Sequence, residues 1–206
     1  MMHIVILSSA DLKKELLHNG IQEQTQLTWI KKPEDFLSHL QADAFMDLLF
    51  ENTGQRRELL KQLLPAPVIV NSVAHTLTDI GLPVIRINAW PTFLKSALIE
   101  AHAPEEFKQK AGKIFLEFNK KPEWLPDEPG FITARVISMI INEAYISLEE
   151  GVSSKEDINT AMKLGTNYPF GPFEWIEKIG ASEILSLLNR LKTHQPRYQP
   201  SPLLQV

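Results

Sequence analysis

A chain of 206 residues holds one large domain or two small ones, at roughly 150 residues per domain. Its 21 Lys and Arg against 25 Asp and Glu leave a net charge of −4, which supplies neither the basic footprint of a nucleic-acid binder nor an acidic tail. The absence of cysteine excludes disulfide scaffolds, Cys-ligated zinc, iron–sulfur clusters and cysteine nucleophiles, and the 44% hydrophobic fraction argues against disorder.

The opening MMHIVILSSADLKK has too short an apolar run, Ile4 to Leu7, for a secretory signal. No apolar stretch approaches the roughly 18 residues of a membrane span, so a cytoplasmic protein without membrane or nucleic-acid partners is expected. HIVIL (His3–Leu7) reads as a buried strand. Ser8 or Ser9 caps the helix that follows, which Gly20 terminates. QLTWI (Gln26–Ile30) is a second strand, and Pro33, Glu34 and Asp35 form the first turn of a helix. AFMDLLF (Ala44–Phe50) is a third strand, and Gly54–Leu64 has helical periodicity. PVIVNS (Pro67–Ser72) and PVIRINAW (Pro83–Trp90) are β-branched and bounded by proline, as strands are. Strands alternating with helices point to a parallel sheet in an α/β layer over residues 1–125.

Residues 126–206 read as helical. After the Pro129–Gly130 turn, a long helix runs to Gly151 and is apolar on almost every face. Ser153 or Ser154 with Glu156 or Asp157 opens the next helix as a capping box. GPFEWIEKIG and ASEILSLLNRLKTH are two further amphipathic helices, and the proline-rich end QPRYQPSPLLQV reads as an extended tail. A helix apolar on nearly all sides has more surface than three companions cover, so a homodimer through these helices is expected.

This second region carries a resemblance. The chain reads D-x-P-G-F-I (Asp127–Ile132), N-E-A (Asn142–Ala144), E-G (Glu150–Gly151), E-D-I (Glu156–Ile158), A-M-K-x-G (Ala161–Gly165) and P-x-G-P-F-E (Pro169–Glu174). Over about 55 residues this resembles the C-terminal domain of the 3-hydroxyacyl-CoA dehydrogenase family, and R-Y-x-P-S-P-L-L (Arg197–Leu204) is similar too. The resemblance implies a Rossmann-like, NAD-binding first domain and oxidation of an L-3-hydroxyacyl-CoA. It also implies a His that takes the hydroxyl proton, a Glu that orients the His, and a Ser and an Asn that hold substrate. The fold class expected is therefore a shortened Rossmann-like parallel sheet followed by a helical dimerisation domain.

The residues depart from that pattern. A dinucleotide cradle needs G-x-G-x-x-G after the first strand, because glycine lets backbone amides approach the pyrophosphate. Here Ser8-Ser9-Ala10-Asp11 follows, and Lys31 and Lys32 stand where the second strand should end in an acid for the ribose. Counting along the resemblance places the Ser position on Val73, the His position on Ile87 and the Asn position on Ala134. None of these can exchange a proton. The orienting Glu falls on Glu100 with a slip of one residue. No catalytic residue, metal ligand or cofactor is therefore expected, NAD belonging only to a reading in which the first half still works. Ser72, Asn88 and Glu100 are the pocket candidates. The six histidines form no ligand pair such as H-E-x-x-H. Lys31, Lys32, Lys120 and Lys121 read as solvated charges. The expected function is that of a family member that has lost NAD binding and catalysis and acts as a dimeric binding or structural protein, with an acyl-CoA-like molecule as the candidate ligand. The alternative is an active NAD-dependent L-3-hydroxyacyl-CoA dehydrogenase.

Overall fold

The computed structural model describes residues 1–205. They divide into two compact units, Met1–Phe131 and Ile132–Val206. The first unit strings together β1 (Met2–Leu7), α1 (Ala10–Leu16), β2 (Thr25–Ile30), β3 (Ala44–Asp47), α2 (Gly54–Lys61), β4 (Val68–Asn71), α3 (Leu77–Ile80), β5 (Ile85–Ile87), β6 (Leu98–His102), α4 (Glu105–Glu117) and β7 (Lys121–Trp124). A 3-10 helix, Pro33–His39, stands where the sequence suggested an α-helix.

The strands form one sheet in the order β2-β1-β3-β4-β5-β6-β7. Strands β1 to β5 are parallel, β6 runs antiparallel to β5, and β7 runs parallel to β6. Alternation along β1 explains why the sheet is covered on both faces. Ile4 and Ile6 enter one core with Leu12 and Leu16 of α1 and Phe115 of α4. Val5 and Leu7 enter the other with Phe36 and with Leu59 and Leu60 of α2. Each such side chain stabilises the fold by roughly 1.5–3 kcal/mol through burial.

The order β2-β1-β3 makes β1 a topological switch point: the chain leaves β1 to one side for β2 and returns to the other side for β3. In open α/β sheets the crevice outside the carboxyl ends at such a point is where ligands bind. Ser9 caps α1 by accepting from the Leu12 N–H, which already occupies part of the N-terminal turn that faces this crevice.

The second unit is α5 (Thr133–Glu149), α6 (Lys155–Thr166), α7 (Pro172–Ile179) and α8 (Ala181–Lys192), with short 3-10 turns at Pro196–Tyr198 and Pro202–Gln205. Ser154 caps α6 by accepting from the Asp157 N–H. Helix α5 is not covered on all sides: Ile137, Ile141 and Ala144 are buried, whereas Val136 is exposed. The chain end is docked rather than extended. Asn142 of α5 donates to the Gln199 carbonyl at 2.9 Å and accepts from the Ser201 N–H at 2.8 Å, and Tyr198 and Leu204 are buried. A proline-rich stretch cannot pair in a ladder, and here one buried amide satisfies one of its carbonyls and one of its N–H groups.

Candidate functional site

The carboxyl ends of β4 and β5 bring buried polar groups together. Asn88, directly after β5, is buried, and its Nδ2 donates to Oε2 of Glu100 on β6 at 3.0 Å. The backbone N–H of Asn88 donates to the Glu100 carbonyl at 3.1 Å, continuing the antiparallel pairing of these strands. Oδ1 of Asn88 accepts from the Trp90 N–H at 3.3 Å, and Oδ1 of Asn71 accepts from the Ala89 N–H at 3.0 Å. Ile87 is fully buried within the apolar core.

Ser72 turns its hydroxyl onto its own loop, donating to the His75 carbonyl at 2.9 Å. Val73 is buried, and its carbonyl accepts from the Gly130 N–H at 2.8 Å. Ala134 lies fully buried in the first turn of α5.

A residue the sequence reading passed over ties this region down. Arg86, fully buried on β5, is paired with Asp127 and donates to the Ser72 carbonyl at 3.2 Å and the Val73 carbonyl at 3.3 Å. Asp127 also accepts from the Leu77 N–H at 2.9 Å, and the Arg86 guanidinium lies over the Phe131 ring at 4.8 Å. The segment 126–131 therefore belongs with the sheet. The signal was present in the sequence: a charged residue inside the β-branched run PVIRI has to find an anion once that strand is buried.

Two more buried charges sit at strand ends. Asp47, fully buried at the end of β3, has one carboxylate oxygen bonded to the Leu49 N–H at 3.2 Å, with Arg56 Nη1 3.5 Å from the other. Burial pushes its pKa up to about 6, against the pull of Arg56. Lys120, expected to be solvated, is buried instead; its Nζ donates to the carbonyl oxygens of Leu94 and Ser96 and to Oδ1 of Asn19. Burial lowers its pKa to about 8, with Glu15 pulling the other way. A cavity of about 130 Å³ opens beside Glu34, Glu51, Thr53, Gln55 and Arg56, near the carboxyl ends of β2 and β3. Among the described residues no cluster of three or more His, Asp or Glu could hold a metal ion, and no helix is long and apolar enough to cross a membrane.

The fold and these strand ends define a Rossmann-like α/β unit followed by a helical unit. Residues 130–206 match the family described as 3-hydroxyacyl-CoA dehydrogenase, C-terminal domain. The 3-hydroxyadipyl-CoA dehydrogenase of Escherichia coli K12 is 36% identical over 160 residues, which are 77% of this chain and 30% of that protein. A probable 3-hydroxybutyryl-CoA dehydrogenase of Bacillus subtilis is 28% identical over 225 aligned residues, covering 94% of this chain and 76% of that protein. The crystal structure of (S)-3-hydroxybutyryl-CoA dehydrogenase from Ralstonia eutropha superposes with a TM-score of 0.76 at 18% identity, covering 100% of this chain and 92% of that one. The chain spans about a third of the length of the first curated relatives it matches. Its residues 130–206 carry the C-terminal domain of the 3-hydroxyacyl-CoA dehydrogenase family, and the chain as a whole is similar to dehydrogenases of that kind.

These likenesses correct one expectation. The chain was expected to take no cofactor, yet the curated proteins it matches are named dehydrogenases, and the family they resemble uses NAD. The expectation rested on the loop after β1 and on Lys31 and Lys32 at the end of β2, whereas a dinucleotide also contacts a fold's other strand ends. What the structure does show is local. The β1–α1 junction carries Ser8, Ser9 and Ala10, with the Ser9 side chain on the Leu12 amide, and does not form the usual glycine cradle for a pyrophosphate.

Proposed function

We propose that the chain binds a 3-hydroxyacyl- or 3-oxoacyl-CoA thioester in the cytoplasm as a homodimer and does not carry out the alcohol oxidation of its relatives. One observation carries this reading: the side chain that Glu100 holds at the end of β5 is the amide of Asn88. Oxidising a 3-hydroxyl group requires a base for the hydroxyl proton. A carboxamide neither gains nor loses a proton near neutral pH, so a thioester beside it keeps the oxidation state in which it arrives. Val73 and Ala134, at the positions that the resemblance gives to the substrate-holding Ser and Asn, offer only methyl groups. Support for the dimer comes from the second unit. Helix α6 buries none of its residues, and Leu164 on it is 83% exposed, an apolar surface that a second copy would cover.

The test is titration calorimetry with acetoacetyl-CoA, run beside an absorbance assay for consumption of reduced nicotinamide. Binding heat without nicotinamide oxidation is the expected pair of results. Steady reduction of acetoacetyl-CoA by the unmodified chain refutes the proposal. It would favour an active NAD-dependent dehydrogenase, the reading supported by alignment over 94% of the chain with the Bacillus subtilis protein.

A further inference from the structure

We propose that the free edge of β2 is a docking surface for a second copy of this chain, which pairs with it strand to strand and antiparallel about Leu27. The surface lies on the first unit, so the inference rests neither on the helical dimer nor on ligand binding.

The backbone shows which groups this edge offers. The His3 N–H donates to Oδ2 of Asp43, and the carbonyls of His3 and Leu7 accept from the Asp43 and Leu48 N–H groups. His3 and Leu7 therefore turn their backbone groups toward β3, and the alternate residues Ile4 and Ile6 turn theirs toward β2. Ile4 lies level with Leu27 and Ile6 with Trp29. In a parallel ladder a residue bonds to the two neighbours of the one it lies level with, so Ile4 bonds to Gln26 and Thr28. The N–H and C=O groups of Leu27 and Trp29 then point outward, where β2 has no neighbouring strand among the described residues.

The two edges of the sheet are built differently. On β7 the Lys121 N–H turns inward to the Ala97 carbonyl, which leaves the outward position beside it to Pro122, a residue with no N–H to offer. Lys121 and Glu123 add charge, and proline and charge are the usual means of blocking an edge. Strand β2, TQLTWI, has neither over Thr25–Ile30. Its Leu27 and Trp29 are only partly buried against the core on the α1 side.

The partner that fits this edge is the chain itself. Antiparallel pairing about Leu27 exchanges the Leu27 N–H and C=O in both directions and sets the Trp29 N–H on the Thr25 carbonyl. The Thr25 N–H needs no new partner, being bonded to the Gln22 carbonyl. Trp29 then stands opposite Thr25, a favourable aromatic and β-branched cross-strand pair. The same arrangement sets the entry of each strand against the exit of the other. The entry carries exposed Glu23 and the exit carries exposed Lys31 and Lys32, so opposite charges meet. A two-fold axis makes each match twice. An interface of one strand per copy is small, so the pairing is weak and governed by concentration.

The experiment is amide hydrogen exchange followed by NMR on the full chain over a range of concentration. Once a dimer dominates, its unpaired fraction falls as the square root of concentration, so exchange of the Leu27 and Trp29 amides should slow by about tenfold over a roughly hundredfold rise. The Gln26 and Thr28 amides, bonded within the sheet, are the internal control. Lys31→Glu/Lys32→Glu sets carboxylates against Glu23 and should remove the slowing, and adding Glu23→Lys should restore it. All three positions are exposed, so these variants should fold as the parent does. Leu27 and Trp29 amides that exchange at one rate at every concentration overturn the inference, as does slowing that survives Lys31→Glu/Lys32→Glu. Slowing abolished by Leu164→Asp instead places the contact on the helical unit and overturns it equally. Turnover of acetoacetyl-CoA would refute the proposed function and leave this pairing untouched.

Discussion

Asp47→Asn should make this protein more stable at pH 8 and leave it unchanged below pH 4. Asp47 is fully buried, and its pKa is raised from 3.8 to about 6 because removal of the carboxylate from water outweighs the nearby Arg56. A raised carboxylate pKa means that the folded state prefers the protonated form. The associated stability is fully present below the unfolded value of 3.8 and is lost as pH rises through about 6. A shift of about two units corresponds to about 3 kcal/mol at 1.36 kcal/mol per unit. Asparagine resembles the protonated acid: it keeps an oxygen for the Leu49 N–H and never ionises. The stability gap between variant and parent should therefore open between pH 4 and 6 and reach about 3 kcal/mol by pH 8, or roughly 6–12 °C in melting temperature for a chain of this size. Thermal and urea melts followed by circular dichroism at pH 4 and pH 8 measure it. A variant no more stable than the parent at pH 8, or one with the same gap at both pH values, refutes the reasoning.

Other perturbations address other buried charges and surfaces. Arg86→Met removes the guanidinium bonds to the Ser72 and Val73 carbonyls, of which Val73 keeps the Gly130 N–H, and leaves Asp127 without its cation, and should cost about 3–5 kcal/mol in denaturant melts. Lys120, with its pKa lowered from 10.5 to about 8, is favoured in its neutral form by folding, so stability should rise as pH climbs from 8 to 10.5. Lys120→Met should lose that rise, and a variant that keeps it shows that the slope comes from elsewhere. Asn142→Ala removes both bonds to the docked chain end, about 2 kcal/mol locally, and should speed proteolytic cleavage within residues 196–205 without lowering the stability of the sheet. Light scattering after size exclusion should give twice the 23.4 kDa of one chain, and Leu164→Asp should shift it toward the monomer.

Much of the architecture was legible because local physics repeats along the chain. The run Ile4–Leu7, apolar at every position, reads as a strand covered on both faces, and two separate cores do receive its alternate residues. Ser8 or Ser9 and Ser153 or Ser154 read as caps because a hydroxyl ahead of a periodic run satisfies orphan amides, and the fold uses Ser9 and Ser154. Strand β6 and its antiparallel pairing were harder to see. SALIEAH has no strict alternation, and direction in a sheet depends on which neighbour is available rather than on the strand's own residues.

The candidate site divides along the same line. That Val73, Ile87 and Ala134 hold no exchangeable proton follows from the sequence alone, as does the lack of a glycine-rich loop after β1. Which residue faces Glu100 does not, because on a strand one position of register decides between the core and the ligand side, and counting from a distant motif carries that much slip. Tertiary structure alone placed Asn88 on Glu100, Arg86 on Asp127 and Lys120 on three oxygens. Composition fixes how many charges a chain must solvate or pair, and only the fold selects their partners, since those partners lie 12 to 101 residues away in sequence.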